Sequence, residues 1–345
     1  MFERELAATA AAMVAPGKGI LAIDESGSTI KKRFDAIGIE SNVENRRAYR
    51  DLLITAGGLS QFICGMILFD ETIKQATKAG MPFPDAIKKS GILAGIKVDA
   101  GSKALAGAAG EQVTEGLDGL RERLAEYKKL GATFAKWRAV INIGNDIPSQ
   151  YCIDANAHAL ARYAALCQEA GIVPIVEPEV IMDGAHTLER CFDVTENTLH
   201  ALFRALYQQR VHAEHLVLKA SMVISGKECA QQAGVQQVAD ATVQCLKRTV
   251  PSAVPGIVFL SGGQSDEMAT AHLSAMNAGG AELSWPLSFS YGRALQAPAL
   301  KAWKGQSASV PAAQKALFHR AKMNSAACSG RYRAEMEKEK EVLAA

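Results

Sequence analysis

Eight short apolar runs recur along the chain, and each is separated from the next by enough sequence for a helix. They predict buried strands at residues 20–24, 63–69, 93–99, 134–141, 173–180, 215–220, 256–263 and 281–290. Stretches between them predict helices, such as 117–130 and 154–170, and the second ends just before the capping residue Gly171. This alternation, without a glycine-rich dinucleotide fingerprint, predicts an α/β fold, a closed (β/α)8 TIM barrel rather than a doubly wound sheet.

The length of the chain leaves two domain organisations open. With 345 residues, 48% of them hydrophobic, it is large enough for two ordinary domains or for one large barrel. No internal repeat or low-complexity linker marks a boundary, so we predict a single domain over residues 1–330. Residues 331–345 are polar and charged, and we expect them to leave the barrel as a helix or mobile arm.

Charge and cysteine usage exclude several classes of function. The net charge is only +2, and no dense Lys/Arg tract precedes the C-terminal tail, which argues against a nucleic-acid partner. No apolar run reaches the roughly 20 residues that a membrane-spanning helix needs, so no membrane association is expected. The seven cysteines are scattered and never spaced as CxxC, which predicts reduced thiols and a cytoplasmic protein.

Charged and hydroxyl side chains lie inside or near the C-terminal ends of these runs, where a buried strand would ordinarily carry none. They are Asp24, Lys97, Asp99, Lys136, Arg138, Glu177, Glu179, Lys219 and Ser261. A buried charge costs several kcal/mol unless it is paired or becomes neutral. Because the C-terminal ends of barrel strands meet at one face, these residues predict a single polar pocket.

Lys219 is the candidate nucleophile, since it ends an apolar run and is expected to project into the mouth of the barrel. A desolvated lysine beside other cations tends toward the neutral amine, which attacks carbonyl carbons. The alternative is a lysine that only extends to solvent beyond its strand. Lys97 and Lys136 have the same placement on other strands and favour the catalytic interpretation, that of a Schiff-base enzyme.

Two carboxylates are candidates for proton transfer. Glu177 is suited to protonate the hydroxyl that leaves as an imine forms, or else it belongs to a buried ion pair, which is also the interpretation for Glu179. Asp24 is a second acid/base or a group that orients a lysine. Its alternative role is the N-cap of the turn at residues 24–29.

Two candidate anion sites flank Lys219. Ser261 and Gly262 begin a glycine turn before a helix, and Arg293 follows the last strand, where barrels often bind phosphate. On the other side, a second anion site is predicted from Ser26, Thr29, Lys32, Arg33, Lys97 and Arg138. Two such sites predict a substrate phosphorylated at both ends. The seven histidines include no HExxH motif, so we expect neither a metal nor another cofactor.

The order of the motifs identifies a family resemblance. The chain contains PGKGILA (16–22), DES (24–26), ENRR (44–47), GIKVD (95–99), FAKWR (134–138), IVEPE (175–179), LSGGQ (260–264) and FSYGRALQ (289–296). Over residues 15–331 it resembles class I, Schiff-base, fructose-bisphosphate aldolases. The resemblance implies a (β/α)8 barrel, usually assembled as a homotetramer. It also implies reversible, metal-independent cleavage of fructose 1,6-bisphosphate to dihydroxyacetone phosphate and glyceraldehyde 3-phosphate, in glycolysis and gluconeogenesis.

The resemblance also implies roles for matching residues. Lys219 would form the imine, Glu177 would be its acid/base, and Lys136 and Asp24 would be neighbouring catalytic groups. The C1 phosphate would bind Ser261, Gly262 and Arg293, and the C6 phosphate would bind Ser26, Thr29 and Lys97.

Two features depart from the family pattern. The usual Lys-Pro-Asn-Met is here residues 219–222, Lys-Ala-Ser-Met, and the chain lacks the C-terminal tyrosine of animal members, since its last tyrosine is Tyr332. Discrimination between fructose 1,6-bisphosphate and fructose 1-phosphate therefore stays open. An aldolase of another sugar phosphate, such as sedoheptulose bisphosphate, and a non-catalytic scaffold with the same fold are the alternatives.

Overall fold

Eight parallel strands rich in branched and aromatic residues close into a barrel at the centre of the molecule. The computed structural model describes residues 2–279 and 282–338. Its strands are β1 (Gly19–Ala22), β2 (Ile63–Leu68), β3 (Leu93–Lys97), β4 (Ser102–Ala104), β5 (Gln112–Thr114), β6 (Phe134–Ile141), β7 (Val173–Val180), β8 (Val217–Ala220), β9 (Ile257–Phe259) and β10 (Leu287–Tyr291). The barrel order is β1-β10-β9-β8-β7-β6-β3-β2, and β4 and β5 form a separate antiparallel hairpin.

Helices connect the strands and cover the barrel. They are α1 (Glu3–Met13), α2 (Gly27–Asp35), α3 (Val43–Ile54), α4 (Asp70–Ile73), α5 (Phe83–Lys89), α6 (Leu120–Lys129), α7 (Gln150–Glu169), α8 (Leu188–Gln208), α9 (Val235–Thr249), α10 (Asp266–Ala278), α11 (Arg293–Trp303) and α12 (Val310–Ala327). Several begin at a polar cap, as where the Ser149 hydroxyl accepts from the backbone N–H of Cys152 at the start of α7. None of the helices in the described part of the chain is long and apolar enough to cross a bilayer.

Helix α1 closes the N-terminal end of the barrel. Its residues Leu6, Ala10 and Met13 belong to one buried cluster with side chains from the barrel strands. The strand members of the cluster are Ile20, Ala22, Cys64, Ile67, Phe134, Val173, Ile175, Val217 and Val258. The opposite end, where the strands finish, is left open for a binding site.

Glycines in the strands leave room for large aromatic rings that pack against the sheet. The Phe134 ring is fully buried and packs so closely on Gly95 of β3 that a Cβ there would lie 2.2 Å from a ring atom. On the outer face of the barrel, toward the helices, Phe289 covers Gly19 of β1 equally closely, at 2.6 Å. Glycines therefore let large rings pack tightly against both faces of the strands.

The eight predicted barrel strands are confirmed, and two of them, 134–141 and 173–180, have the predicted bounds. The strand predicted at 256–263 is shorter because Gly262 and Gly263 adopt positive φ angles of 54° and 88° and turn the chain away. The strand predicted at 281–290 begins only at Leu287, and residue 281 lies outside the described residues. The hairpin of β4 and β5 was not predicted.

The C-terminal segment folds back in its described part instead of extending away from the barrel. A short 3-10 helix covers Ala334–Lys338, and a Glu337 carboxylate oxygen lies 2.9 Å from Nε2 of His319 on α12. Glu337 also forms an ion pair with Arg320 and accepts a hydrogen bond from Tyr332. Residues 339–345 lie outside the described residues, and the division into a 1–330 domain and a 331–345 tail stays a prediction.

Candidate active site

The C-terminal ends of the strands surround one cavity of about 670 Å³. Most of the predicted catalytic or binding residues line it, namely Asp24, Ser26, Thr29, Lys97, Lys136, Arg138, Glu177, Lys219, Ser261, Gly262 and Arg293. The strands that carry them come from sequence positions hundreds of residues apart, so only the closed barrel brings them together. Of the other two residues suggested for the second anion site, Arg33 lines the cavity and Lys32 does not.

Four charges, three of them buried and the fourth, Asp24, partly buried, form a row across the floor of this cavity. Lys219 Nζ lies 3.0 Å from Oε1 of Glu177, and Lys136 Nζ lies 3.4 Å from Oε2 of the same carboxylate. Lys136 Nζ also lies 2.8 Å from Oδ2 of Asp24, which comes from the opposite side of the barrel mouth. The order is therefore cation, anion, cation, anion, and each charge that burial penalises has an opposite neighbour.

The row fixes the charge state of two of its members. Burial disfavours the charged form of Asp24, but Lys136, Lys219 and Lys97 outweigh it and lower the pKa of this carboxyl to about 2. Burial likewise opposes the charge on Lys136, yet Asp24, Glu177 and Asp99 raise its pKa well above the usual lysine value. Lys136 is thus a protonated amine at neutral pH, and a poor nucleophile.

The structure also decides between interpretations of Asp24. Helix α2 begins at Gly27 with Ser26 in the N-cap position, so Asp24 does not cap it. Its carboxylate instead binds Lys136. Asp24 therefore contacts a lysine instead of capping α2, and its role in orienting that lysine or exchanging a proton stays a prediction.

The cations of the second anion site carry carboxylate partners that the sequence reasoning did not assign to them. Lys97 Nζ lies 2.5 Å from Oδ1 of Asp99, and Arg138 forms an ion pair with Glu179. The i, i+2 spacing of Lys97 and Asp99 on one strand face was the available signal. Both cations line the cavity from neighbouring strands, each beside its own carboxylate.

Ser26 and Thr29 face the cavity from the first turn of α2, with their hydroxyl oxygens 3.2 Å apart. Nearby, Glu25 is buried and forms ion pairs with both Arg33 and Arg50, the second at 2.7 Å. Glu25 is therefore a structural carboxylate that holds Arg33 at the cavity edge. The sequence analysis did not identify this role, because Arg33 and Arg50 lie on α2 and α3, and sequence spacing does not show that both helices pack against Glu25.

The glycine turn after β9 has the geometry of an anion-binding loop. The backbone N–H of Gln264 donates to the Ser261 carbonyl at 2.9 Å and closes the turn, and α10 begins two residues later. Arg293, at the start of α11, donates a hydrogen bond to the Gln264 carbonyl and so lies against the same turn. Exposed backbone N–H groups at a helix N-terminus next to a guanidinium favour a phosphate group.

One oxygen of the central carboxylate lacks a hydrogen bond in the described part of the chain. Among the described residues, Oε2 of Glu177 is buried and accepts no hydrogen bond, and its lysine neighbour is 3.4 Å away. The buried Ser290 hydroxyl, which also lines the cavity, has no partner among them either. Within the same described ranges, no group of three or more His, Cys, Asp or Glu is arranged to hold a metal.

Comparison with known proteins gives a consistent result. Residues 5–344 match the family described as "Glycolytic: Fructose-bisphosphate aldolase class-I". The chain is 63% identical to a probable class 1 fructose-bisphosphate aldolase of Xanthomonas axonopodis pv. citri over 330 residues, 95% of this chain and 98% of the relative. It is 51% identical to the cytosolic fructose-bisphosphate aldolase 4 of Arabidopsis thaliana, over 96% of this chain and 85% of that one.

A solved structure shows the same fold. The fructose-bisphosphate aldolase of Plasmodium falciparum, solved in complex with TRAP and a small-molecule inhibitor, superposes with a TM-score of 0.94. The two sequences are 48% identical, and the match covers 96% of each chain.

Proposed function

The chain belongs to the class I fructose-bisphosphate aldolase family, and from that premise we propose which of its residues carry the reaction. It is a glycolytic aldehyde-lyase that reversibly cleaves fructose 1,6-bisphosphate to dihydroxyacetone phosphate and glyceraldehyde 3-phosphate. The row of alternating charges from Lys219 to Asp24 supports the assignment of roles, because each member has a different set of neighbours.

Lys219 is the imine-forming residue in this proposal. It is buried, and among the described residues Glu177 is its one ion-pair partner, at 3.0 Å. Lys136 has two carboxylate partners and a raised pKa, and Lys97 is bound to Asp99. Lys219 is therefore the lysine that can lose its proton to a single adjacent carboxylate and attack the substrate ketone.

The proposed steps balance in protons and electrons. Lys219 attacks C2 of the open-chain sugar, and the C2 oxygen leaves as water after taking protons through Glu177. The C4 hydroxyl then gives its proton to Asp24, the C3–C4 bond breaks, and its electron pair enters the protonated imine, so that glyceraldehyde 3-phosphate leaves as its aldehyde and a neutral enamine remains on Lys219. Asp24 is ionised and can accept this proton, although its low pKa makes it a weak base. The enamine carbon then takes up a proton, Asp24 returns its proton to solvent, and water hydrolyses the imine to release dihydroxyacetone phosphate and the free Lys219 amine.

The two phosphates bind on opposite sides of Lys219 in this proposal. The C1 phosphate contacts Ser261, Gly262 and Arg293 in the loops after β9 and β10. The C6 phosphate lies near Ser26, Thr29, Lys97 and Arg138, at the ends of β1, β3 and β6. Lys136 keeps its charge throughout and stabilises the negative charge that develops on the substrate oxygens.

Reductive trapping tests the assignment of the nucleophile. Borohydride added to the protein with dihydroxyacetone phosphate should attach the ligand to Lys219 alone, as read by peptide mass mapping. Lys219→Met should abolish both trapping and cleavage while the circular dichroism spectrum stays unchanged. An adduct on Lys136 or Lys97, with Lys219 unmodified, would contradict the proposal.

Three further properties belong to the proposal. Homotetrameric assembly is implied by the family and is tested by light scattering, and a cytoplasmic location is supported by the cytosolic Arabidopsis relative and tested by cell fractionation. Preference for fructose 1,6-bisphosphate is tested against fructose 1-phosphate and sedoheptulose 1,7-bisphosphate.

A further inference from the structure

The ladder between β7 and β8 is interrupted at the two residues on which the reaction depends. Its paired residues are Ile175 with Val217 and Val176 with Leu218, and the pairing ends there. The next residues along the two strands are Glu177 and Lys219. Beyond Leu218, β8 continues its ladder with β9 on the other side, up to Ala220.

Beyond the gap, a side chain of the segment after β8 joins the two strands again. The Ser221 hydroxyl accepts a hydrogen bond from the backbone N–H of Val180 at 3.0 Å and donates one to the carbonyl of Val180, also at 3.0 Å. Ser221 is buried, so no water competes for these groups. The hydroxyl acts as donor and acceptor at once, as a peptide group of a neighbouring strand would.

Glu177 and Lys219 therefore lie between two fixed points. Before them, Val176 pairs with Leu218, and after them Ser221 binds both polar backbone groups of Val180. The contact between Lys219 Nζ and Glu177 Oε1, at 3.0 Å, spans the unpaired gap. If the second fixed point were lost, β7 and β8 would be held beyond the gap only by their outer neighbours, β6 and β9, and no bond would join them directly where the carboxylate must reach the amine.

We propose that Ser221 is a positioning residue, whose hydroxyl holds β8 against β7 beyond the gap and sets the approach of Lys219 to Glu177. This inference rests on the proposed roles of Lys219 and Glu177. It concerns a position where the sequence departs from the family pattern, since residues 219–222 are Lys-Ala-Ser-Met in place of Lys-Pro-Asn-Met.

The test compares two buried serines. Ser221→Ala removes the bridge beside the gap, and Ser288→Ala removes a hydrogen bond from a buried hydroxyl to the Lys18 carbonyl, 2.6 Å long, at the other end of the barrel. For each variant we would measure kcat, KM, melting temperature, amide exchange at Val180, and the single-turnover rate of borohydride trapping with dihydroxyacetone phosphate.

Ser221→Ala should lower kcat and the trapping rate by about 10-fold to 100-fold, because misplacement of a reacting pair by about 1 Å has effects of that size. Its KM should stay within about twofold, since the phosphate contacts lie on other loops, and the Val180 amide should exchange faster. Ser288→Ala should lower the melting temperature similarly while kcat stays within about twofold of the unmodified protein.

Conservative replacements complete the test. Ser221→Thr keeps the hydroxyl and should restore most of the trapping rate. Ser221→Cys keeps the volume with a weaker donor and acceptor, and should reduce the trapping rate even if Ser221→Ala does not fold.

Two results would overturn the inference: an unchanged trapping rate in folded Ser221→Ala and Ser221→Cys, or equal losses of kcat in Ser221→Ala and Ser288→Ala. Trapping of the unmodified protein on another lysine would instead refute the proposed nucleophile, so the two failures are distinguishable.

Discussion

At the scale of single residues, Glu177 differs from the other buried carboxylates because its two oxygens face two different lysines. Oε1 lies 3.0 Å from Lys219, and Oε2 lies 3.4 Å from Lys136. Removing the charge therefore takes away a proton carrier and leaves Lys219 and Lys136 without the carboxylate that lies between them. The effect on catalysis and the effect on stability should appear together.

We expect Glu177→Gln to lower kcat for fructose 1,6-bisphosphate cleavage by about 10²-fold to 10⁴-fold, the usual contribution of a positioned acid or base. The amide keeps the volume of the carboxylate but cannot exchange protons with the leaving hydroxyl. Steady-state kinetics, with trapping on Lys219 measured in parallel, would show whether imine formation is the step affected.

A buried carboxylate outside the cavity gives the control. Glu111 accepts hydrogen bonds from the backbone N–H and the hydroxyl of Ser149, at 2.6 and 2.7 Å. Glu111→Gln should lower stability with little change in kcat. Equal losses of activity in the two variants would mean that Glu177 acts only through the fold.

The residue types at the strand ends were enough to predict a polar pocket there. The contacts that these residues make could not be predicted. Lys219 and Glu177 stand out as charges in apolar runs, and the structure places both in the cavity. The Lys136–Asp24 contact crosses the barrel mouth, and the Ser221–Val180 bridge depends on strand register. Neither distance follows from sequence spacing, because both are fixed only when the barrel closes.

At the scale of the elements, β3 and β6 pack together because Gly95 has no side chain where the Phe134 ring lies. A Cβ at this position would lie 2.2 Å from the Phe134 ring, a separation that no real side chain shows. We expect Gly95→Ala to lower the free energy of unfolding by about 1–3 kcal/mol, the usual cost of overpacking a core. Urea denaturation of the variant and the unmodified protein measures the difference.

Gly57→Ala is the matched control, because a Cβ at Gly57 would meet no atom within 4 Å and its φ is not positive. Its stability should stay within about 0.5 kcal/mol of the unmodified protein or rise slightly. If Gly95→Ala were as stable as Gly57→Ala, the ring of Phe134 would have to move freely inside the barrel.

The ends of the elements were predicted less accurately than their existence. Helix α7 begins at Gln150, four residues before the predicted start, because the Ser149 cap adds a turn that the apolar pattern does not show. Strand β8 is paired only from Val217, since Ala213–His215 form a 3-10 turn before it. Local hydrogen bonds decide these boundaries, and hydrophobic periodicity does not report them.

At the scale of the whole molecule, stability should depend on pH through His272. Burial alone lowers the pKa of this imidazole to about 4, and its Nδ1 lies 2.6 Å from Oε1 of Gln264. Unfolded histidine takes up its proton near pH 6.5, so this stabilisation is complete above pH 6.5 and is lost as the pH falls toward 4. The loss should reach up to about 3 kcal/mol.

Urea melts from pH 7 to pH 4.5 would measure this slope. His272→Asn should flatten it, whereas the replacement of the exposed His158 by Asn should leave it unchanged. Asp24 does not contribute in this range, because its lowered pKa of about 2 affects stability only below pH 3.8. An equally steep slope in His272→Asn would assign the effect to other groups.

The C-terminal tail gives a prediction about turnover. Removal of residues 342–345, which lie outside the described residues, should leave cleavage of fructose 1,6-bisphosphate nearly unchanged, because the side chains of Val342, Leu343, Ala344 and Ala345 cannot donate a proton. In an enzyme that depends on a terminal tyrosine, the same deletion should slow turnover by about 10²-fold. A large loss in the folded, shortened protein would show that the tail reaches the active site through another group.

The position of α1 at the end of the barrel has a consequence for the order in which the protein can fold during translation. This helix is synthesised before all the barrel strands, yet the surface on which it packs includes Val217 and Val258, which emerge when most of the chain has been translated. Strand β1 likewise waits for β10 before the barrel can close. The apolar face of α1 therefore stays without its final partners through most of translation, and a chain released before β9 has no complete surface on which to dock it.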